Sequence, residues 1–206
     1  MKKGTVYVKF IVAYLIFALL GFFAITFLTS DWTFQHLASK KAETLYNEAN
    51  LIANQFGSHY YSKQMTFSEV EVQLRAVDTF LDVQIWMTDA TGRIMLDTRN
   101  TWTGTLIEEF DPAAIGAKQY QTGRYYNLFS QDMITVSAPI TSSFRTMGYI
   151  IIHSSVDSIE QEKEELLRIS YITLIVIFLL SLIILVIFTV SVYLPLKKIT
   201  EAANEY

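Results

Sequence analysis

Six residues near the middle of the chain have the side chains that a small organic ligand requires. They combine aromatic rings with one cation and two small polar groups: Trp86, Arg124, Tyr125, Tyr126, Asn127 and Ser137. Rings beside a guanidinium suit an organic anion or an amino acid, because ligand pockets are mostly apolar with a few placed polar groups. The same aromatic residues also pack well on sheets, so the alternative is that they serve only the core.

The rest of the sequence does not support catalytic or metal chemistry. The three histidines, His36, His59 and His153, are far apart, and none has the spacing of a zinc site. There is no cysteine, which excludes a thiol nucleophile and a thiolate metal site. Neither a G-x-x-x-x-G-K-[ST] nor a G-x-G-x-x-G nucleotide motif occurs. We therefore expect no catalytic residue, no metal and no cofactor in these 206 residues.

Two uncharged runs predict helices that cross a membrane. The chain has no charged residue from Phe10 to Ser30, or from Ile169 to Leu196. Since about 20 apolar residues span a bilayer, we expect transmembrane helices over 10–30 and 169–194. A cleaved signal peptide is the alternative for the first run, although such peptides usually have an apolar part of about 7 to 15 residues.

The charges predict which side of the membrane each segment occupies. Residues 1–9 and 195–206 carry five lysines against two glutamates, whereas residues 31–168 carry 11 Lys and Arg against 18 Asp and Glu. Because lysine and arginine concentrate on the cytoplasmic side, we expect both termini in the cytoplasm and residues 31–168 outside it.

The segment after the first run predicts a long helix. No glycine or proline lies between Gly21 and Gly57, so the helix should continue without a break and end at Gly57. Small and apolar residues recur in it at spacings of three and four: Ala38, Ala42, Leu45, Ala49, Ile52 and Phe56. This face packs on the domain's own sheet or, through its alanines, lets two copies of the chain meet as a dimer, and the two can hold along different turns.

A second helix and a hairpin are predicted next. Thr66 to Glu69 has the sequence of a capping box and starts a helix that runs to about Phe80. Val83, Ile85 and Met87 alternate with Gln84, Trp86 and Thr88. The turn Asp89-Ala90-Thr91-Gly92 follows, and Arg93 to Asp97 completes the pattern of a hairpin.

Three more strands are expected in the second half of the chain, over 124–129, 133–139 and 147–153. In the first of them Tyr125 and Tyr126 would point to opposite faces, so only one of the two would line a pocket. The irregular segment from Thr98 to Gly123 is expected to cover that pocket. The predicted fold class is α+β, with a long N-terminal helix and about five strands in one antiparallel sheet.

The order of these elements resembles the input half of a bacterial sensor histidine kinase. In that family a PAS-like (Cache) domain outside the cytoplasm lies between two transmembrane helices. The resemblance rests on the strand closed by Asp89 to Arg93, on Ser137 to Ile140, and on the strand from Gly148 to Ile152 that leads into a helix. It implies that residues 31–168 form the sensor domain.

The last residues resemble the start of a HAMP linker, which would cover 195–206. Pro195-Leu196-Lys197-Lys198-Ile199-Thr200 follows the second span directly. The resemblance implies that Pro195 marks the junction of span and linker. It also implies which side chains face the parallel four-helix core of the linker, namely Leu196, Ile199 and Ala203.

The resemblance implies a receptor with no catalytic centre of its own in these residues. It would form a homodimer in the plasma membrane of a bacterium and pass an extracytoplasmic signal to a kinase core beyond residue 206. ATP and magnesium would bind only in that core, which would phosphorylate a response regulator in a two-component phosphorelay. No nucleic acid is expected as a partner. The alternatives are the input half of a chemoreceptor or of a cyclase, or a membrane-anchored binding or scaffold protein without enzymatic output.

Overall fold

A sheet domain and two long apolar helices account for most of the chain. The computed structural model describes residues 5–111, 120–195 and 199. It has two compact units, Thr33–Glu162 and Met1–Trp32 with Lys163–Tyr206. In the described residues the helices are α1 (Thr5–Ile52), α2 (Ser58–Tyr61), α3 (Phe67–Leu81) and α4 (Val156–Phe188), with π-helical turns at Ala53–Gly57 and Thr189–Tyr193. The strands are β1 (Gln84–Asp89), β2 (Ile94–Asp97), β3 (Gln121–Gly123), β4 (Met133–Ser142) and β5 (Arg145–Ser155).

Two helical stretches are long and apolar enough to cross a membrane. They cover Ile11–Tyr61 and Val156–Tyr193, and the most apolar part of each has no residue buried inside the structure. These stretches carry the two uncharged runs of the sequence, which agrees with the prediction of two spans. The bilayer crossing, its direction and the domain bounds stay predictions.

The five strands form one antiparallel sheet in the order β2-β1-β5-β4-β3. The central strands are β1 and β5, which pair from Gln84 opposite His153 to Asp89 opposite Gly148. The α+β class and the number of strands are therefore confirmed. Four of the five predicted strands are also in the right place, and the exception, at residues 124–129, is described below.

One face of the sheet packs against α1. The strands contribute alternate residues to this core: Ile85, Met87, Ile134, Val136, Ala138, Ile140, Ile150 and Ile152. Five residues of the predicted helix face complete it and are 0–3% exposed: Ala38, Ala42, Leu45, Ala49 and Ile52. The face therefore packs on the domain's own sheet. Because these side chains are buried within one chain, they are not exposed for a second copy to contact, and the homodimer stays a prediction without them.

The prediction that Gly57 ends the first helix is wrong. Gly57 is the last residue of the π-helical turn, its φ is −61°, and α2 continues the helical path to Tyr61. Glycine is present because of packing: a Cβ at this position would lie 2.9 Å from Cγ1 of Ile140 on β4. The residue marks a close approach between helix and sheet, which local sequence does not distinguish from a helix end.

The capping box of α3 is confirmed. The hydroxyl oxygen of Thr66 accepts a hydrogen bond from Glu69 N at 3.3 Å, and Thr66 N donates to Glu69 Oε2 at 2.7 Å. The hydrogen bond from the backbone of Thr66 lowers the pKa of the Glu69 carboxyl. Val70 and Leu74 are fully buried in the same core as α1, so the cap fixes the start of a helix that stabilises the sheet domain.

The turn between β1 and β2 is held by one carboxylate. Asp89 Oδ1 accepts from Thr91 N at 2.8 Å and from Arg93 N at 3.0 Å, while Gly92 takes a φ of +88°. Burial by itself raises the pKa of Asp89, but the hydrogen bonds from Thr91 and Arg93 outweigh it and the pKa is lowered. The predicted hairpin is confirmed.

Candidate ligand-binding face

The second face of the sheet, opposite α1, carries polar and aromatic residues on its central strands. Register places Trp86, Ile151 and Ser137 side by side on β1, β5 and β4. The neighbouring row on the same face is Gln84, His153 and Thr135. Since side chains alternate along a strand, these rows point away from the α1 core.

A covering segment, which we define as residues 98–111 and 124–129, lies over this face. Its side chains pack in a small apolar cluster with Trp86, Ile94 and Ile151. The covering residues of that cluster are Trp102, Ile107, Phe110, Tyr125, Tyr126, Leu128 and Phe129. Of the segment expected to be irregular, Thr98 to Asp111 contributes to this cluster, whereas Gln121–Gly123 form β3 and lie in the sheet instead.

The predicted strand over 124–129 is wrong, because the chain turns there. β3 ends at Gly123, and the next residues form a left-handed turn with φ of 25° at Tyr125, 49° at Tyr126 and 58° at Asn127. Leu128 N donates to Tyr125 O at 3.0 Å. The two tyrosines therefore do not point to opposite faces, and their rings meet edge to face with centroids 4.8 Å apart.

Left-handed backbone at three successive residues that are not glycine is strained. Each such residue costs about 1–2 kcal/mol relative to ordinary backbone. Strain of this kind persists where the surroundings hold it, and it concentrates at functional sites. Two features stabilise this turn. Tyr125 is 2% exposed, and the hydroxyl of Tyr126 accepts a hydrogen bond from Asp111 N at 3.0 Å.

Four rings form what we call the aromatic cluster: Trp86, Tyr125, Phe129 and His153. Phe129 stacks on Trp86 with centroids 5.4 Å apart and an interplanar angle of 13°. The His153 ring lies 4.3 Å from that of Trp86 and 4.9 Å from that of Tyr125. The cluster thus joins two central strands of the sheet to the left-handed turn.

Five buried polar atoms at this face have no hydrogen-bond partner among the described residues. They are Trp86 Nε1, Thr88 Oγ1, Tyr125 Oη, Ser137 Oγ and His153 Nε2. Leaving a buried polar group unsatisfied costs about 1–3 kcal/mol, so native proteins do it rarely and for a reason. Polar atoms gathered on one apolar face are what a binding site for a small polar molecule requires.

His153 is neutral at physiological pH. It is fully buried, and burial lowers its pKa from 6.5 to about 3. Its Nδ1 lies 2.8 Å from the hydroxyl oxygen of Thr135, which fixes the ring on the sheet. Burial, and next the electrostatic effect of the neighbouring Tyr126, raise the pKa of Tyr125 above its usual value of 10.0, so the phenol of Tyr125 is also uncharged.

A buried carboxylate holds the start of the covering segment to the sheet. Asp97, which is 0% exposed, accepts four hydrogen bonds. Oδ1 accepts from Gln84 Nε2 at 2.8 Å and from Arg99 N at 3.0 Å, and Oδ2 accepts from Thr101 N at 2.8 Å and from Trp102 N at 2.9 Å. Asp97 therefore positions Trp102 against the aromatic side of the sheet.

Of the six residues proposed from sequence, four lie together. Trp86 and Tyr125 are in the aromatic cluster, Tyr126 packs on Tyr125, and Ser137 lies on the same sheet face. The other two, Arg124 and Asn127, are exposed. Sequence reasoning missed His153 and Phe129. The alternating pattern of β5 indicates which face of the sheet His153 occupies. Its position beside Trp86, however, follows only from the register between β1 and β5.

The residues proposed to transmit a signal are only partly described. Pro195 is helical and Ile199 is exposed, while Leu196 and Ala203 lie outside the described residues. Upstream, β5 passes directly into α4, where Ser155 Oγ accepts from Asp157 N at 3.1 Å. His153 therefore lies three residues before the first residue of α4.

No protein-family model and no curated protein matches this chain. Solved structures do match. The sensory domain of the Campylobacter jejuni chemoreceptor Tlp3 with isoleucine bound has a TM-score of 0.51 and 12% identity, over 71% of this chain and 65% of that chain. The ligand-binding domain of Tlp3 in complex with 4-methylisoleucine has a TM-score of 0.50 and 12% identity, over 67% and 61%.

The sensor domain of the V. cholerae histidine kinase DctB matches with a TM-score of 0.46 and 15% identity, over 67% of this chain and 60% of that chain. This chain thus spans about 60 to 65% of the length of these solved structures. At such identities the likeness concerns the fold. The expectation of a PAS-like (Cache) sheet domain flanked by two long apolar helices is confirmed: by fold, the domain is similar to bacterial sensor domains.

Proposed function

We propose that this chain is the input portion of a two-pass receptor in a bacterial plasma membrane, with residues 31–168 outside the cytoplasm. The observation that carries the proposal is the direct connection of β5 to α4. β5 bears His153 of the aromatic cluster and ends at Ser155, and α4 begins at the next residue. A change at the cluster therefore has a short covalent route to a helix that is apolar enough to cross a membrane.

The proposed input is the binding of a small ligand at the aromatic cluster. A ligand shifts a receptor between two states only if it binds one of them better than the other. Here the two states would differ in the placement of β5 and of the start of α4. Helix displacements of about 1–2 Å are enough in other switching proteins.

The proposed output is a histidine kinase core beyond residue 206, reached through a HAMP linker that starts at Pro195. In this proposal the receptor works as a homodimer. ATP and magnesium bind in the kinase core, and a response regulator accepts the phosphoryl group. The order of elements along the chain supports this output.

A chemoreceptor output is the second candidate, and one observation favours it. The two structures described above that share this fold with TM-scores of 0.51 and 0.50 both come from the chemoreceptor Tlp3. A cyclase output, or a membrane-anchored binding or scaffold protein, would use the same input domain.

The coding sequence that follows Tyr206 tests the output. A His-Glu-(Leu/Phe/Ile)-Arg-Thr-Pro-like box is expected for the kinase. A long uninterrupted array of heptads would instead support the chemoreceptor, and a nucleotide cyclase domain would support that alternative. An in-frame stop directly after Tyr206 in the native gene would overturn all three and leave the binding or scaffold protein.

A further inference from the structure

We infer that the aromatic cluster takes an uncharged polar molecule, such as an amide, an alcohol or a neutral heterocycle, and not a carboxylate or an amino acid. The inference rests on the proposed function, because it names the class of ligand for the same site. It differs from the expectation that the sequence alone supports, in which Arg124 would pair with an anion.

The buried polar atoms at this face that have no hydrogen-bond partner are all uncharged. Trp86 Nε1 only donates a hydrogen bond, whereas the hydroxyls of Tyr125 and Ser137 and the neutral ring of His153 suit either a donor or an acceptor. The centroids of the Trp86, Tyr125 and His153 rings are 4.3 to 6.0 Å apart. A ligand group that reaches one of these atoms is therefore close to the others.

Three arginines of this domain bind groups outside the cluster, and a fourth is exposed. Arg124 is exposed, and Arg93 Nη1 donates to Gly104 O at 3.2 Å. Arg75 pairs with Glu71 at 2.8 Å. Arg99 forms ion pairs with Asp78 on α3 at 3.6 Å and with Asp82, the residue after α3, at 3.4 Å.

The one carboxylate that is buried among the described residues disfavours an anion further. Asp97 lies opposite Trp86 in the β1–β2 register, and therefore on the same face. A ligand carboxylate brought to the cluster would be desolvated near a like charge without a counter-ion, which is strongly unfavourable. An ammonium group would have to compete with the four donors that Asp97 already accepts. A neutral ligand meets neither obstacle.

The test uses matched probes on the whole 206-residue chain in lipid nanodiscs. The pairs are nicotinamide with nicotinate and benzamide with benzoate, and isoleucine is the zwitterionic probe. Thermal unfolding and calorimetric titration are recorded for each probe. We expect the two amides to raise the melting temperature with increasing concentration and the acids and isoleucine to leave it unchanged at equal concentration.

Two variants connect the effect to the site. Tyr125→Phe keeps the ring and removes a buried hydroxyl that has no partner. We therefore expect its ligand-free melting temperature to rise, while its Kd for the amides weakens about tenfold, the value of one hydrogen bond of about 1.4 kcal/mol. Tyr46→Phe, which packs with the core on the α1 side, is the matched control and should bind like the wild type.

The outcomes separate this inference from the proposed function. Binding of nicotinate, benzoate or isoleucine that depends on Tyr125 would overturn the neutral class but support a receptor site. Amide binding that is unchanged in Tyr125→Phe would place the ligand elsewhere and overturn the inference. If no probe binds, the neutral class is also overturned, whereas the two-pass receptor is judged separately by its membrane topology.

Discussion

His153 shows how a buried imidazole makes the sheet domain sensitive to acid. Thr135, Gln84 and Trp86 surround it from β4 and β1, and the covering segment adds two further rings. None of these neighbours carries a charge that would stabilise an imidazolium. The ionisable one among them is Tyr125, and its raised pKa keeps the phenol neutral. Protonation of His153 is therefore strongly disfavoured in the folded domain.

The sign of the pH effect follows from this pKa. The unfolded chain binds a proton at His153 below about pH 6.5, but the folded chain does so only near pH 3. Stability is therefore greatest above pH 6.5 and falls as the pH drops towards 3. Between pH 7 and pH 5 we expect a loss of about 2 kcal/mol from this residue.

Urea unfolding at several pH values checks this prediction. The His153→Phe variant should lose less stability than the wild type over the same range, because it has no group to protonate. His59→Gln, at an exposed position, is the control and should keep the wild-type dependence. Equal losses in wild type and His153→Phe would show that His153 is not the group responsible.

Asp97 carries a prediction about the covering segment. In Asp97→Asn an NH₂ group replaces one of the two carboxylate oxygens. Each of these oxygens accepts from at least one backbone N–H, so at least one backbone N–H loses its acceptor in either orientation of the amide. We expect a loss of about 2 kcal/mol in the free energy of unfolding. Hydrogen exchange at residues 99–102 should also become faster, since Thr101 and Trp102 donate to this carboxylate.

The control for Asp97 is Asp132→Asn at an exposed position, which should change stability by less than about 0.5 kcal/mol. Unchanged exchange at 99–102 in Asp97→Asn would contradict the role of Asp97 as the anchor of this segment.

The aromatic cluster was predictable from sequence only in part. Alternation along β1 places Trp86 correctly, because a strand period is a local property. Tyr125 reaches the cluster through three left-handed residues of which none is glycine, and no local pattern predicts that conformation. His153 joins it through register, which depends on long-range pairing rather than on neighbouring sequence.

At the scale of elements, the features that neighbouring residues determine were predicted correctly, whereas the feature that depends on a tertiary contact was not. The capping box at Thr66 and the turn at Asp89 are complete within a few residues, so the sequence contains all the groups that stabilise them. Gly57 was misread because its reason lies in Ile140 on a distant strand. A glycine that ends a helix and a glycine that admits a neighbour look the same in one sequence.

Gly57→Ala tests this second reading. Without a neighbour, alanine would stabilise a helical position by about 1 kcal/mol. Here its Cβ would lie 2.9 to 3.0 Å from three side-chain carbons of Ile140, and overpacking of a core costs about 1–3 kcal/mol. We expect a lower melting temperature for the full chain, with partial recovery when Ile140→Val is added.

Gly21→Ala is the matched control for this change, since a Cβ there meets no atom within 4 Å. It should leave the unfolding of the sheet domain unchanged. A melting temperature of Gly57→Ala above that of the wild type would mean that the close approach has no effect on stability.

At the scale of the whole molecule, the proposed topology places the sheet domain outside the cytoplasm and both termini inside it. The chain has no cysteine, so single cysteines report one site each. In intact cells we expect a membrane-impermeant maleimide to label Ser130→Cys, in the exposed loop before β4, but to label Lys198→Cys only after permeabilisation. The reverse pattern would overturn the proposed topology, whatever the ligand tests show.

The π-helical turn at Thr189–Tyr193 changes the direction in which the side chains after it point around the helix axis. Each residue of an α-helix advances about 100° around the axis. A π-helical turn closes its hydrogen bonds over one more residue, here from Leu194 N to Thr189 O. Side-chain directions extrapolated from spacing within α4 are therefore out of phase after this turn by about one residue, or about 100°. Deleting Val190 would remove that offset, and so rotate whatever follows Pro195 without changing its sequence.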